Sequence, residues 1–164
     1  MMENNEKKTA DLDRRINLLV CGISHLSSTL EEREKFQLNR KEIPKALKTF
    51  LSLDGVKEVA LLSTCNRFEM YFCTTRNDRA IDVARRFYRK YKKMDIDPFE
   101  HLFYSKHASS VVHHLCRVAS AMDSLVLGET QIISQVRESY NMACNEKKNW
   151  ENFAQSFSGC LQCK

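Results

Sequence analysis

One cysteine of the chain stands where a thiol could act as a nucleophile. In the segment LLSTCNRFEMYF (61–72), Cys65 separates two apolar runs, and Arg67 follows two residues later. The thiolate is the reactive form of cysteine, and a neighbouring cation favours it. Free cysteine is also among the most frequently buried residue types. Spacing alone therefore leaves two interpretations, a nucleophile at a strand-to-strand turn or a small core residue.

A cysteine nucleophile needs a proton donor or acceptor within reach, and histidine is the usual one near neutral pH. His113 and His114 are adjacent in a predicted helix, so they project about 100° apart and cannot both face one site. A histidine on a helix is more often structural than catalytic. Four polar residues interrupt the apolar segment 122–136: Ser124, Glu129, Gln131 and Gln135. Polar groups in such a segment either cap helices or bind a polar ligand.

The remaining cysteines have weaker claims to chemistry. Cys160 and Cys163 form a C-x-x-C pair, which supplies at most two of the four ligands of a structural zinc site. A thiol-redox or zinc module is therefore kept as a minor alternative. The other four lie within predicted strands or helices and are predicted to be packing residues: Cys21, Cys73, Cys116 and Cys144.

The elements that must position Cys65 alternate between strands and helices. Apolar β-forming runs predict strands at 16–24, 56–64, 68–75 and 101–105, and the second and third are joined only by Cys65-Asn66-Arg67. Helical spacing predicts helices at 40–53 with Asn39 as its cap, then at 77–93, 109–122 and 129–148. This order predicts an α+β fold, a ferredoxin-like split β-α-β sheet with additional C-terminal helices.

Composition places the chain among ordinary globular proteins. It has 164 residues, of which 43% are hydrophobic and 29% charged, and no apolar stretch approaches the ~18 residues of a membrane span. The first fifteen residues carry mixed charge without an apolar signal-peptide core, and the seven cysteines are irregularly spaced. We therefore expect a cytoplasmic protein. The net charge of +5 permits a nucleic-acid partner without requiring one.

Four segments together resemble the N-terminal catalytic domain of glutamyl-tRNA reductase, and they follow that family's order and spacing. They are CGISH (21–25), EREK (32–35), LLSTCNRFEMY (61–71) and HLCRVASAMDSLVLGETQIISQV (114–136). In that family, the cysteine of S-T-C-N-R attacks the ester of glutamyl-tRNA to form a thioester. A hydride from NADPH then releases glutamate-1-semialdehyde for tetrapyrrole (porphyrin) synthesis.

Matched position by position, the resemblance implies that Cys65 is the nucleophile and that His114, not His113, is the family's histidine. The implied substrate-binding residues are Thr64, Asn66, Arg67, Ser124, Glu129, Thr130, Gln131 and Gln135. The chemistry agrees, because an aminoacyl ester is already activated toward a thiolate. The planar fork of Arg67 suits the γ-carboxylate of glutamate.

The resemblance also implies a division of the chain. Residues 1–15 are expected to be a disordered tail, and residues 16–150 the catalytic domain, with a sheet part at 16–104 and a helical part at 105–150. Residues 151–164 are expected to begin the connection to the family's NADPH-binding domain. No G-x-G-x-x-G fingerprint occurs. We therefore expect acyl transfer without reduction, and neither NADPH nor a metal bound to this chain.

The partners implied by the resemblance are glutamyl-tRNA and glutamate-1-semialdehyde aminotransferase, with no membrane. The family forms homodimers through a further helical domain that we do not find in this sequence. Two departures from the family pattern affect the expected entrance loop: LSSTLEEREK (26–35) lacks the usual Lys-Thr-Ala-Pro-Val-type run, and Ala121 replaces the usual glycine.

A non-catalytic tRNA- or protein-binding module is the main alternative. The helix predicted at 77–93 is rich in arginine and lysine and carries Phe87, Tyr88 and Tyr91. Such a helix either binds phosphates or presents a solvated basic face above a buried aromatic stripe. The second interpretation is favoured, because periodicity alone does not show that the basic residues cluster.

Overall fold

A four-stranded antiparallel sheet lies at the centre of the structure, a computed structural model that describes residues 16–123 and 131–146. The strands are β1 (Asn17–Ser24), β2 (Val56–Ser63), β3 (Arg67–Thr74) and β4 (Tyr104–His107). Their order in the sheet is β2-β3-β1-β4. An antiparallel sheet with helices packed against it confirms the predicted α+β class.

Five α-helices and one short 3-10 helix are described. They are α1 (Leu30–Phe36), α2 (Ile43–Leu51), α3 (Ala80–Tyr91), the 3-10 helix Asp97–Leu102, α4 (Ser109–Ala119) and α5 (Gln131–Glu146). The connection from β1 to β2 contains α1 and α2 and crosses over β3, since β3 lies between those strands. α3 and the 3-10 helix connect β3 to β4.

Both faces of the sheet are covered, because every residue of β3 is buried. On one face, Phe72 of β3 packs on Phe50 of α2, with ring centroids 5.2 Å apart, and Phe50 packs on Phe87 of α3 at 5.0 Å. Alternate residues of a strand point to opposite faces. Glu69 and Tyr71 therefore point to the other face, where they meet His114 of α4.

The structure changes the bounds of two predicted elements and adds a helix. The strand predicted at 101–105 is β4 at Tyr104–His107, and its first part belongs to the 3-10 helix, which has a proline in its first turn. α2 begins at Ile43, because the Asn39 side chain accepts the N–H groups of Lys41 and Glu42 in a preceding turn. α1 was not predicted, although Thr29 and Glu32 form a capping box at its start.

Several predicted features lie outside the described residues. These are the tail at 1–15, the connection at 151–164, and the proposed substrate contacts Ser124, Glu129 and Thr130. Among the helices that the structure does describe, none has the length and apolar character needed to cross a membrane.

Candidate functional site

Cys65 lies in the tight turn between β2 and β3, and its side chain is exposed. The hydroxyl of Thr64 organises this turn by accepting the main-chain N–H groups of Asn66 and Arg67, both at 3.2 Å. The N–H of Thr64 also donates to the carbonyl of Arg67 at 2.9 Å. Local bonds of this kind fix a turn without secondary structure. The accessible thiol excludes the interpretation of Cys65 as a core residue.

Two other elements hold the turn from outside. The main-chain N–H of His25, just after β1, donates to the carbonyl of Asn66 at 2.8 Å. From the end of α1, the amide of Gln37 donates to the carbonyls of Thr64 at 2.7 Å and Cys65 at 3.2 Å. Arg33 of α1 contributes a further bond from Nε to the Cys65 carbonyl at 3.4 Å. The turn therefore has little freedom despite its exposure.

Behind the turn, the fully buried carboxylate of Glu69 forms the centre of a polar cluster. Arg67 donates from Nη1 to Glu69 Oε1 at 2.8 Å, and His114 Nε2 lies 2.9 Å from the same oxygen. The hydroxyl of Tyr71 donates to Oε2 at 2.5 Å, and the hydroxyl of Tyr104 donates to Oε1. A buried carboxylate is tolerated only with such partners.

The cluster keeps Glu69 ionised. Burial raises the pKa of this carboxyl, but the hydrogen bond from His114 and the charge of Arg67 outweigh it and bring the pKa to about 2. Burial and the charge of Glu69 raise the pKa of Tyr104. Arg67 and Glu69 thus form a buried ion pair at neutral pH, with the tyrosine neutral beside them.

Gly22 of β1 makes space for this cluster. In the sheet it stands opposite Glu69 on one side and Tyr104 on the other. A Cβ atom at position 22 would lie 2.8 Å from Cγ of Glu69 and 3.1 Å from the Tyr104 hydroxyl oxygen. The glycine of the CGISH segment therefore allows the side chains of Glu69 and Tyr104 to pack closely against β1.

A pocket of about 470 Å³ opens beside the cluster. Its wall includes the buried side chains of Arg67 and His114 and the exposed side chains of His113 and Arg117. Asp123 also lines it, and its carbonyl accepts a 2.8 Å bond from Arg67 Nη2. A larger pocket of about 590 Å³ lies beside the beginning of β1 and contains none of the predicted site residues. The smaller pocket is therefore the one that lies next to the Glu69 cluster and is lined by predicted site residues.

The structure brings together only part of the predicted site. Thr64, Cys65, Asn66 and Arg67 share the turn, and His114 joins them through Glu69. Gln131 is exposed at the start of α5. Gln135 is half-buried and lines a separate cavity of about 130 Å³ next to Ser63, on the β2 side of the turn.

Three residues that form the turn and the polar cluster were not predicted from the sequence: Arg33, Gln37 and Glu69. Glu69 carried a signal, since a lone carboxylate inside the apolar run RFEMYF must find partners if the run is a buried strand. No feature of the sequence around Arg33 or Gln37 indicates that these two residues contact the Cys65 turn. Their contacts span 27 to 32 residues of sequence and depend on how α1 packs.

His25 is the histidine whose main chain bonds to the turn. Its Nδ1 atom is buried and has no hydrogen-bond partner among the residues that the structure describes. Burial and the charges of Arg67 and Arg33 lower the pKa of this imidazole. His25 is therefore neutral at neutral pH.

The arginines of the basic helix α3, and Arg79 at its N-cap, pair with carboxylates. Arg79 pairs with Asp82 at 2.9 Å and Arg86 with Asp78 at 2.6 Å. Arg85 binds Glu100 at 2.9 Å, and Arg89 lies 3.3 Å from Asp95. The arginines of this face thus have carboxylate partners, whereas Lys90 donates to the Ser52 hydroxyl.

The zinc or thiol-redox alternative gains no support from a metal site. Across 16–123 and 131–146, no three His, Cys, Asp or Glu side chains are grouped to hold a metal ion. Cys160 and Cys163 lie outside the described residues.

Comparison with known proteins points to one family. The model of the family described as "Glutamyl-tRNAGlu reductase, N-terminal domain" matches residues 21–164. The glutamyl-tRNA reductase of Heliobacterium mobile is 36% identical over 129 residues, which cover 79% of this chain and 29% of that protein. The glutamyl-tRNA reductase of Geotalea uraniireducens is 40% identical over 136 residues, which cover 82% and 31%.

A solved structure agrees with the sequence comparisons. The fold superimposes on glutamyl-tRNA reductase from Methanopyrus kandleri with a TM-score of 0.68 and 28% sequence identity. The match covers 88% of this chain and 32% of that one. The chain thus spans about a third of the length of the relatives it matches.

Proposed function

Because the chain belongs to the glutamyl-tRNA reductase family, whose N-terminal domain it matches, we propose that Cys65 takes glutamate from glutamyl-tRNA. The observation that carries this proposal is the position of Cys65. It occupies the cysteine of the S-T-C-N-R motif, and its thiol is exposed in a turn held from three sides.

The proposed step is an acyl transfer. The thiolate of Cys65 attacks the carbonyl carbon of the ester, a C–S bond forms, and the bond from that carbon to the ribose oxygen breaks. The ribose oxygen leaves with the electron pair and takes a proton from solvent. The products are a glutamyl thioester on Cys65 and free tRNA.

Arg67 is the proposed anchor of the γ-carboxylate. Its guanidinium lines the pocket, with Nη1 held by Glu69 and Nη2 by the main-chain carbonyl of Asp123. A charged carboxylate binds a guanidinium more strongly than a neutral carbonyl does. We propose that the substrate takes the place of the Asp123 carbonyl while Glu69 keeps Arg67 in position.

The other proposed contacts keep their roles from the family motif. His114 lines the same pocket and is the proposed proton carrier for slow hydrolysis of the thioester. Thr64 shapes the turn, and the remaining proposed substrate contacts are Asn66, Ser124, Glu129, Thr130, Gln131 and Gln135.

Reduction is assigned to no residue of this chain. The family's second step uses NADPH, whose pyrophosphate is typically held by a glycine-rich loop between a strand and a helix of a parallel sheet. The described sheet is antiparallel throughout, and the sequence has no such glycine fingerprint. The residues present do not fit the dinucleotide, so the proposed reaction stops at the thioester and its hydrolysis.

The strand order supports the finer description of the fold. We propose a ferredoxin-like split β-α-β sheet, since β1 and β4 are adjacent, β3 follows, and helices lie in both crossovers. The helical part then belongs to the same catalytic domain, because α4 supplies His114 to the sheet residue Glu69.

Transfer of labelled glutamate to the protein tests the proposed function. Incubation with glutamyl-tRNA that carries the label in the amino acid should leave label on Cys65, located by mass spectrometry. Cys65→Ser should remove it, and Cys144→Ser, at a partly exposed free cysteine, should not. Label that persists on Cys65→Ser would contradict the proposal. Binding of tRNA without any transfer would favour the non-catalytic module.

A further inference from the structure

We propose that Gln37, at the end of α1, is a positioning residue for the acyl transfer at Cys65, and that Lys92, at the C-cap of α3, holds it in place. This inference rests on the proposed function, because it concerns the orientation of Cys65 toward the ester of glutamyl-tRNA. It extends that function to the end of α3, an element that supplies none of the predicted site residues.

Gln37 fixes the main chain on both sides of Cys65. Its side-chain nitrogen Nε2 donates to the carbonyl oxygen of Thr64 at 2.7 Å and to that of Cys65 at 3.2 Å. These carbonyls belong to the two planar peptide groups that meet at the Cα atom of Cys65. The direction of the Cα–Cβ bond follows from the orientation of those two planes, because φ and ψ are the soft dihedrals of the main chain. One amide group therefore sets the direction in which the cysteine side chain leaves the turn.

The end of α1, which carries Gln37, is bound to α3. Lys92 donates from Nζ to the carbonyls of Lys35 at 2.9 Å and Gln37 at 3.0 Å. The hydroxyl of Tyr88 donates to the Phe36 carbonyl at 3.2 Å. The last carbonyls of a helix have no partner within the helix. Two side chains one helical turn apart thus bind three consecutive carbonyls at the end of α1.

The residue after Gln37 is fixed to the end of β2. The main-chain N–H of Leu38 donates to the hydroxyl of Ser63 at 3.3 Å, and this hydroxyl donates to the Leu38 carbonyl at 2.7 Å. Ser63 directly precedes Thr64, the first residue that Gln37 contacts. Gln37 is therefore held between α3 and β2, so its amide has a fixed position relative to the turn.

This arrangement matters for orientation rather than for access, because the side chain of Cys65 is already exposed. Acyl transfer requires the sulfur to meet the ester carbon while the rest of the substrate stays bound, and a misplacement of about 1 Å can slow such a reaction ~100-fold. A small alkylating reagent makes no such demand, since it is not held in a pocket. The two reactions therefore respond differently to a turn that has lost its support.

Gln37→Met tests the proposal, because methionine keeps the length of the side chain but donates no hydrogen bond. We expect single-turnover acylation by labelled glutamyl-tRNA to slow ~10- to 100-fold. Alkylation of Cys65 by iodoacetamide should stay within ~2-fold of the parent rate, because the thiol remains exposed and no charge has changed. Hydrogen exchange at the amides of Asn66 and Arg67, followed by NMR, should accelerate ~3- to 10-fold as the turn loses two hydrogen bonds.

A double-mutant cycle tests whether Lys92 acts through Gln37. Lys92→Met alone should slow acylation ~3- to 10-fold, and in the Gln37→Met background it should add little further loss. Lys92→Arg, which keeps donors at this position, should restore most of the acylation rate. Lys90→Met is the matched control on α3 and should leave acylation unchanged, since Lys90 is exposed and donates to Ser52 rather than to α1.

The outcomes separate this inference from the proposed function. A folded Gln37→Met protein that is acylated at the parent rate overturns the inference. Equal losses of acylation and alkylation also overturn it, because the change would then lie in the thiol itself. Full, independent losses from Gln37→Met and Lys92→Met would remove Lys92 from it. A parent protein that glutamyl-tRNA never acylates refutes the proposed function, whatever the turn amides show.

Discussion

At the scale of single residues, the site separates two positive charges that lie on either side of one turn. Arg67 is paired with a buried carboxylate and faces the pocket, while the hydrogen bonds of Arg33 within the described residues run to neutral oxygens of Ser28, Thr29 and Cys65. The proposed task of Arg67 is recognition of the substrate carboxylate, while Arg33 bonds to the Cys65 carbonyl and so helps to fix the turn. Glu69 holds the guanidinium of Arg67 in place beside the pocket.

Glu69 makes stability depend on pH in acid. Its pKa is about 2 in the folded protein, below the ordinary value of 4.5, so the stability it contributes is complete above pH 4.5 and is lost as the pH falls toward 2. Glu69→Gln should lower the free energy of unfolding by ~3–5 kcal/mol at neutral pH, because Arg67 loses its partner. That difference should shrink as the pH falls through this window.

Urea unfolding of both proteins at a series of pH values measures the effect. Glu34→Gln, at an exposed glutamate, serves as the control and should follow the parent. Parallel curves for the parent and Glu69→Gln throughout the acid range would show that the carboxyl is not ionised in the folded protein.

At the scale of elements, β1 brings the cluster together because it lies between β3 and β4. Gly22 stands opposite Glu69 on one neighbour and Tyr104 on the other, and its lack of a side chain admits both. The strands thereby position the pocket, and α4 supplies His114 from above the same face.

Gly22→Ala should destabilise the protein by ~1–3 kcal/mol, since the new methyl group overlaps Cγ of Glu69 and something must move. The coupling can be measured by a double-mutant cycle. Glu69→Ala removes that Cγ, so the added loss from Gly22→Ala should be smaller in this background than in the parent. If the losses of stability from the two substitutions were strictly additive, contact with Glu69 would not be the reason that position 22 requires glycine.

The end of α4 forms a Schellman motif with an unusual residue. The N–H of Met122 donates to the carbonyl of Arg117 and that of Ala121 to Val118, both at 3.0 Å. Ala121 has a φ of +57°, which glycine adopts more easily. A glycine at this position would adopt this conformation with less strain.

Substitution at Ala121 tests the strain. Ala121→Gly should raise the free energy of unfolding by ~0.5 kcal/mol, because the conformational gain exceeds the loss of one buried methyl group. Ala121→Val should lower it by at least ~1 kcal/mol, because a β-branched residue resists positive φ. Thermal unfolding of the three proteins measures the order Gly, Ala, Val. A more stable valine variant would contradict the assigned backbone conformation.

At the scale of the whole molecule, the two sides of the sheet differ in polarity and role. One carries an aromatic core under α2 and α3, with the arginines of α3 engaged by carboxylates at the surface. The other carries the buried polar cluster and the pocket. Approach of tRNA is therefore expected at the pocket side rather than at α3.

Salt dependence of tRNA binding distinguishes the two surfaces. A lost phosphate contact reduces the slope of log affinity against log salt by about one. Arg86→Gln and Arg89→Gln on α3 should leave both the slope and the affinity within ~2-fold of the parent, since these arginines already have carboxylate partners. A slope reduced by about one in either variant would mean that this arginine contacts a phosphate and that α3 is part of the tRNA-binding surface.

Local sequence determined much of this protein. Apolar runs located β1, β2 and β3 to within a residue or two, helical spacing located α3 and α5, and the short gap between two strands placed Cys65 in a turn. The motif spacing also identified the family, which the comparisons confirm. These features depend on short-range periodicity and turn chemistry, which are written in consecutive residues.

Only the tertiary structure decided which groups surround the thiol. Arg33 reaches Cys65 across 32 residues and Glu69 meets His114 across 45, and neither contact has a local signature. Each follows from the register of β1 against its two neighbours and from the packing of α1 and α4 on the sheet. Hydrogen bonds and ion pairs act over a few ångströms of space, so the identity of the charge beside a nucleophile depends on the fold that sets those distances.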